Sequence, residues 1–180
     1  MARPRGPRTR PGPPEKTSRA GSNCPRVESF GTGTWQHVLF TLQADAQLTI
    51  GQPEAALASV AAGLEAVEKA GGAPHEAELW RLKGEALLAG AGTPSEAEAA
   101  IKKAIDVARR QNAKSWELRG AMSLARLRRQ QGRPQEAVAL LAPILGWFTE
   151  GFDTTDLKES KALLDDLENS AVIEAALVRL

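Results

Sequence analysis

Gly92-Thr93-Pro94-Ser95-Glu96-Ala97 is the second of three copies of a G-x-P-x-x-A motif. The others are Gly51-Gln52-Pro53-Glu54-Ala55-Ala56 and Gly132-Arg133-Pro134-Gln135-Glu136-Ala137, so the copies are 41 and then 40 residues apart. Glycine tolerates the left-handed conformation just past a helix, and proline at the first helical position loses only an amide without an intrahelical partner. Each copy therefore predicts a tight turn between two helices. In the second copy, Thr93 and Glu96 also predict a capping box.

Apolar residues keep one register around these turns, which indicates a repeating unit. Four residues after the alanine of each motif, for example, come Val60, Ile101 and Leu141. The pattern predicts first helices near residues 35–50, 75–90 and 115–131, and second helices near 53–70, 94–111 and 134–149. Pro143 predicts a kink in the last of these. A seventh helix near 155–168 is expected to cap the array.

The composition also favours helices. Of 180 residues, 31 are Ala and 21 are Leu, whereas Val and Ile total 13. This balance argues against a β-rich fold. No apolar run approaches the ~18 residues of a membrane-spanning helix, so no membrane association is expected. The predicted fold is all-α: a right-handed solenoid of three helical hairpins plus a C-terminal capping helix.

Residues 1–33 are predicted to be a Pro- and Arg-rich leader. Their first 30 residues hold six of the eleven prolines, and between Met1 and Ser29 no apolar residue is larger than Val27. Such a segment buries too little surface to offset the entropy of ordering, so disorder is expected. The leader lacks the apolar region of a secretory signal, and the single Cys24 gives no sign of an oxidising compartment; both favour the cytoplasm. The repeat domain is assigned to residues 34–168, and 169–180 to a C-terminal tail whose helicity is left open.

Residue patterns of common catalytic sites are missing, so the sequence predicts no enzyme, cofactor or metal site. There is no G-x-x-x-x-G-K loop for phosphate, and too few Cys and His residues for a zinc site. The run from His75 to Leu79 begins like a metalloprotease helix but has Leu79 where the second histidine must stand. It is interpreted as a helix start, and His37 as a partly exposed structural histidine.

The tryptophans are interpreted as packing residues rather than as a stacking surface for nucleic-acid bases. Trp35, Trp80 and Trp116 fall at periodic positions that face neighbouring helices, and Trp147 with Phe148 is expected to hold the seventh helix. The first helix has no preceding helix to cover it. Self-association through this end, or coverage by another module, is left open.

Trp80, Leu82 and Gly84, followed by Ala97, Ile101 and Ala104, resemble the tetratricopeptide repeat (TPR), a helix-turn-helix unit. The period here is longer than the usual ~34 residues. Residues 75–168 are similar to the C-terminal repeats of bacterial signalling regulators that join a class III adenylate/guanylate cyclase or DNA-binding module to an ATPase module. The motifs that carry this similarity are Glu78–Glu85, Ala108–Gln111, Ser115–Arg119 and Gly146–Asp153. No position matches the cyclase or ATP-binding motifs, so the resemblance carries no catalytic function over to this chain. It implies a segment of a bacterial, cytoplasmic signalling protein, with a cyclase or ATPase module encoded nearby.

In the TPR pattern one face of the first helices lines a groove. Mapped onto this chain, that face predicts six groove residues: Arg81, Glu85, Arg119, Met122, Arg126 and Arg129. They adjoin a basic band, since residues 102–133 carry ten Lys or Arg and two acids. Guanidinium groups in a row suit the carboxylates of an acidic peptide, although a solvated face is the alternative interpretation.

Two functions are carried forward. The first is a non-catalytic protein–protein interaction module that binds a peptide or sister domain in its groove. The second is a nucleic-acid-binding accessory that uses the basic leader and the Arg-rich third hairpin. Residues 31–180 carry 16 Lys or Arg against 20 Asp or Glu, a net charge of −4, which disfavours nucleic acid.

Overall fold

The computed structural model describes the backbone of residues 32–177 and the side chains of residues 35–172. This part of the chain is all-α, without strands, and none of its helices combines the length and apolarity needed to cross a membrane. The helices are α1 (Thr32–Thr49), α2 (Pro53–Lys69), α3 (Glu76–Ala89), α4 (Pro94–Arg110), α5 (Lys114–Gln130), α6 (Pro134–Leu145) and α7 (Thr155–Leu177). Residues 1–31 of the predicted leader lie outside the described residues, and residues 169–177 of the predicted tail belong to α7.

Proline begins each of the second helices, as the repeated motif predicts. Pro53, Pro94 and Pro134 are the first residues of α2, α4 and α6. The capping box is confirmed as well. The Glu96 amide donates to Oγ1 of Thr93 at 3.2 Å, and the Thr93 amide donates to the Glu96 carboxylate at 2.9 Å.

The motif glycines do not all behave alike. Gly51 and Gly132 are left-handed as predicted, with φ of 74° and 71°. For Gly92 the prediction is wrong, because its φ lies outside the left-handed region. The physical reason is the length of the turn: four residues connect α3 to α4, whereas three connect α1 to α2 and α5 to α6. The extra residue allows the chain to reverse without a positive φ.

Helix α6 is shorter than predicted. It ends at Leu145 rather than near residue 149, two residues after Pro143. A proline inside a helix removes one backbone hydrogen bond and crowds the preceding turn, so helix continuation is unfavourable. The amides of Trp147 and Phe148 instead bond the carbonyls of Ile144 and Leu145, three residues back, at 3.3 and 3.1 Å. The last helical residues nevertheless follow Pro143, with Gly146 as the C-cap, and the kink expected at this proline remains a prediction.

The odd-numbered helices lie side by side. Each helix packs against its neighbours in sequence, and α1 also contacts α3, α3 contacts α5, and α5 contacts α7. One apolar core, which includes Val60, Leu79 and Leu82, joins the first three helices. Another, which includes Leu141 and Leu167, joins α5 to α7. This arrangement brings side chains of α3, α5 and α7 to a common face.

Helices α3 and α4 approach closely at Gly84. A Cβ atom placed there would collide with Cγ1 of Ile101 and stand 3.1 Å from the Ala97 carbonyl oxygen. Ile101 is fully buried, so it has no free space to move into. The missing side chain at Gly84 thus allows the two helices to approach each other closely.

The tryptophans divide between core and surface. Trp80 and Trp116 are half-buried against Ala77, Val107 and Ala108, in agreement with the packing prediction. For Trp35 that prediction is wrong, because its side chain is 66% exposed. The reason is its place on α1, since none of the other described helices packs on that side.

Candidate functional site

Glu78, Arg81 and Glu85 of α3 form a charged cluster. Nε and Nη2 of Arg81 donate to the two carboxylate oxygens of Glu78 at 2.9 and 2.7 Å, while Nη1 donates to Glu85 at 3.1 Å. The three residues lie on one helix face because they are three and four positions apart. Glu78 is only 3% exposed. Burial by itself would lower the pKa of Arg81, but the hydrogen bonds and charge of Glu78, with the charges of Glu85 and Asp45, raise it.

Two contacts connect this cluster to α5. Nη1 of Arg119 lies 2.9 Å from Oε1 of Glu78, and the Ser123 hydroxyl donates to Glu85 at 2.6 Å. The Glu78 carboxylate therefore binds guanidinium groups from two helices. These polar contacts fix α5 beside α3 and orient Arg119.

Three arginines of α5 face acids of α7, in pairs that run in the same direction along both helices. Arg126 lies 3.2 Å from Glu159, Arg119 lies 3.9 Å from Asp156, and Arg129 lies 3.8 Å from Asp166. These side chains are 32–70% exposed. Exposed pairs at such distances are screened by water and contribute little, about 0–1 kcal/mol each. We call the exposed guanidinium groups of Arg119, Arg126 and Arg129 the arginine stripe.

A cleft of about 210 Å³ lies between α5 and α7. It brings together four of the six predicted groove residues, namely Arg81, Arg119, Met122 and Arg126, and adds Ser123, Thr155, Asp156 and Glu159. Glu85 adjoins it through its hydrogen bonds to Arg81 and Ser123. Arg129 does not line the cleft, and Met122 is buried in the core of α5–α7. The cleft is thus of mixed charge, with arginines from α5 and carboxylates from α7.

The basic band of residues 102–133 is largely neutralised by carboxylates. Glu117, for example, accepts hydrogen bonds from Arg109 and Lys114 at 2.8 and 2.7 Å. Eight of the ten cations have a carboxylate partner whose nearest oxygen is 2.6–3.8 Å away: Lys102, Arg109, Lys114, Arg119, Arg126, Arg128, Arg129 and Arg133. The band that looks strongly positive in the sequence is therefore a set of ion pairs.

Sequence reasoning missed the acidic half of this site. It did not assign a role to Glu78 or Ser123, nor to the acids of α7 that face the stripe. One signal was present: positions 119, 126 and 129 span eleven residues, as do 156, 159 and 166. Two oppositely charged rows of equal length on neighbouring parallel helices are suited to pair with each other.

His37 and His75 form a second polar cluster, where α1 meets α3. Their ring centroids are 5.4 Å apart, and Nδ1 of each is buried without a hydrogen-bond partner. His37 is 5% exposed, so its predicted partial exposure is wrong; the sequence pattern did not reveal that His75 would cover it. Burial, and secondly the neighbouring His75, lower the pKa of His37 below 6.5. The described residues contain no group of three or more His, Cys, Asp or Glu suited to a metal ion.

The lowered pKa of His37 predicts a pH-dependent stability. Because the folded state favours the neutral ring, its contribution is complete above the unfolded pKa, near 6.5, and is lost as the pH falls below it. Denaturant unfolding from about pH 7.5 to about pH 5.5 would measure this loss. His37→Gln, which cannot titrate, should flatten the pH profile in that window. An equally steep profile in the variant would contradict the assignment to His37.

The cleft and its ion pairs form a candidate recognition surface, because they combine a concave surface with partly exposed guanidinium groups. Similarity to known proteins gives no independent indication of a ligand. Comparison with protein-family models, with curated proteins and with solved structures finds no match.

Proposed function

We propose that this chain is a non-catalytic protein–protein interaction module, a TPR-like right-handed solenoid of three hairpins with α7 as its cap. Its groove, lined by α3, α5 and α7, binds a peptide or a sister domain. The resemblance of residues 75–168 extends the proposal to a cytoplasmic scaffold or sensor segment of a bacterial signalling regulator. Support for the groove comes from the side-by-side odd-numbered helices, since TPR arrays use one face of their first helices for binding.

The cleft between α5 and α7 is the observation that carries the proposal. Arg119 and Arg126 line it, and their partners on α7 are exposed carboxylates at 3.9 and 3.2 Å. Arg119 is oriented from behind by the buried Glu78, so its guanidinium is held towards the cleft. A carboxylate-rich peptide carries the same acidic groups as α7 and is free to place them closer to Arg119 and Arg126. Exchange of one set of weak exposed pairs for another costs little.

Binding of fluorescein-labelled Asp/Glu-rich peptides, followed by anisotropy, tests the proposal. We expect Arg119→Ala, Arg126→Ala and Arg129→Ala together to weaken binding about tenfold, because exposed ion pairs contribute up to about 1 kcal/mol each and about 1.4 kcal/mol corresponds to a factor of ten. The matched control removes three exposed cations outside the cleft: Lys102→Ala, Lys103→Ala and Arg110→Ala. Equal losses in the two triple variants would contradict a specific groove.

Neutralising the acids of α7 gives an effect of opposite sign. In Asp156→Asn with Glu159→Gln, the arginine stripe loses its internal competitors, so acidic peptides should bind more tightly. Weaker binding in this variant would mean that the α7 acids contact the ligand themselves. A duplex DNA probe in the same assay tests the nucleic-acid alternative: binding that falls steeply with salt, and that is lost in Arg3→Ala, Arg5→Ala and Arg8→Ala, would favour it.

A further inference from the structure

Helix α1 carries an unusual apolar surface on the side away from its own core. Trp35, Leu39 and Leu42 are 66%, 64% and 63% exposed, and Ala46 is exposed next to them. The buried residues His37, Thr41 and Ala44 lie on the opposite face of the helix. A surface helix normally carries polar residues on its outward side, so an apolar stripe there is unusual. We call Trp35, Leu39, Leu42 and Ala46 the α1 stripe.

The spacing of the α1 stripe specifies what fits on it. Its members are four, three and four residues apart, the spacing by which one helix packs along another. At 100° per residue the four side chains fall within an arc of about 60°, a continuous seam. An extended peptide or a sheet edge repeats every second residue and does not follow such a seam. The occupant is therefore a helix with an apolar face.

Two sources within the chain itself do not supply that helix. The leader, residues 1–33, is rich in proline and arginine, and between Met1 and Ser29 it has no apolar residue larger than Val27. The outward side of α7 exposes charged residues such as Lys158, Lys161 and Asp165. In a head-to-tail stack these charges would be buried against apolar side chains, which is costly.

The same stripe on a second copy has the right chemistry. Within α1 the only charged residue is Asp45, which lies at the edge of the stripe and pairs with Arg81 at 3.9 Å. Two α1 stripes thus meet without like-charge repulsion across the seam. An antiparallel pair in which facing positions sum to 81 places Trp35 of one copy opposite Ala46 of the other, and Leu39 opposite Leu42. The largest residue of the stripe then opposes the smallest, and the two leucines pack against each other at the centre of the seam.

We propose that this chain forms a two-fold symmetric dimer through antiparallel packing of α1 against α1 of a second copy. Such an interface is isologous, because the same stripe serves both copies. The helix is about 27 Å long, so the interface belongs to the small class and a micromolar dissociation constant is expected. It uses neither the cleft nor the arginine stripe.

Sedimentation equilibrium of the full chain over a range of concentrations tests this. The parent should approach the dimer mass at high micromolar concentrations, whereas Leu39→Glu should remain monomeric. Val172→Glu, at a 69% exposed apolar residue of α7, is the matched control and should dimerise like the parent. Circular dichroism checks that the variants stay helical. A parent that remains monomeric throughout overturns the proposal.

A charge swap tests the antiparallel register separately. Leu39→Glu and Leu42→Lys should each dissociate the dimer, since each buries a charge against leucine. Combined in one chain, the new carboxylate at position 39 faces the new ammonium at position 42 of the other copy, so dimerisation should return. In a parallel pair the same combination sets like charges opposite each other. Failure of the double variant to restore the dimer overturns the antiparallel arrangement.

Discussion

Replacing Glu78 with alanine is expected to lower the free energy of unfolding by about 3–5 kcal/mol, the usual cost of breaking a buried ion pair on one side. Glu78 binds Arg81 through both carboxylate oxygens and Arg119 through one. Without it, the guanidinium of Arg81, which is 10% exposed, stays buried with Glu85 as its remaining close partner. Urea unfolding followed by circular dichroism measures the loss.

The exposed pair of Arg126 and Glu159 provides the matched control. Glu159→Ala removes a carboxylate of the same type from a site where both partners are about half exposed, so its effect should stay within about 1 kcal/mol. A second variant, with Glu78→Leu and Arg81→Leu together, removes both buried charges and should recover much of the stability. If Glu78→Ala were no more destabilising than Glu159→Ala, the charged cluster would not hold α3 and α5 together.

Gly84→Ala is expected to destabilise the protein by about 1–3 kcal/mol through overpacking. On a helix surface without neighbours, the same change would raise the free energy of unfolding by about 1 kcal/mol, because alanine favours helix more than glycine does. The packing clash must therefore outweigh this gain. The reason is the contact between α3 and α4, where the new methyl group collides with Ile101, a fully buried side chain. Thermal or urea unfolding of the variant measures the effect.

A double-mutant cycle isolates this contact. Ile101→Ala alone should cost about 2–5 kcal/mol because it leaves a cavity. In the double variant the methyl group at position 84 enters that cavity, so the combined loss should be smaller than the sum of the single losses. A stabilising Gly84→Ala, or simple additivity in the cycle, would show that the helices move apart freely at this point.

Local signals predicted most of the helical framework. The motif prolines mark the starts of α2, α4 and α6 because proline tolerates only a few positions in a helix, and Thr93 with Glu96 marks a cap through chemistry confined to four residues. The predictions failed where a longer-range or competing effect decided. Gly92 depended on the length of its turn, and α6 ends at Leu145, before the end near residue 149 that the apolar pattern predicts.

The candidate site was half predictable for a similar reason. The spacing of Arg119, Arg126 and Arg129 shows that they share a helix face, but it does not show what faces them. That depends on where α7 packs, which no local pattern states. The exposure of Trp35 has the same origin, since periodicity identifies an apolar face without identifying its neighbour. The pairing of His37 with His75 likewise joins residues from two separate helices.

Helix α5 makes ion pairs with both α3 and α7, and the two sets differ in their exposure to water. Where α5 meets α3, the buried carboxylate of Glu78 binds guanidinium groups from both helices, and dissolved salt screens these ion pairs only slightly. Where α5 meets α7, the ion pairs between the arginine stripe and the acids of α7 are exposed to water, so dissolved salt weakens them. Added salt should therefore free the guanidinium groups of Arg119, Arg126 and Arg129 from the acids of α7, while the apolar core keeps α5 and α7 packed together.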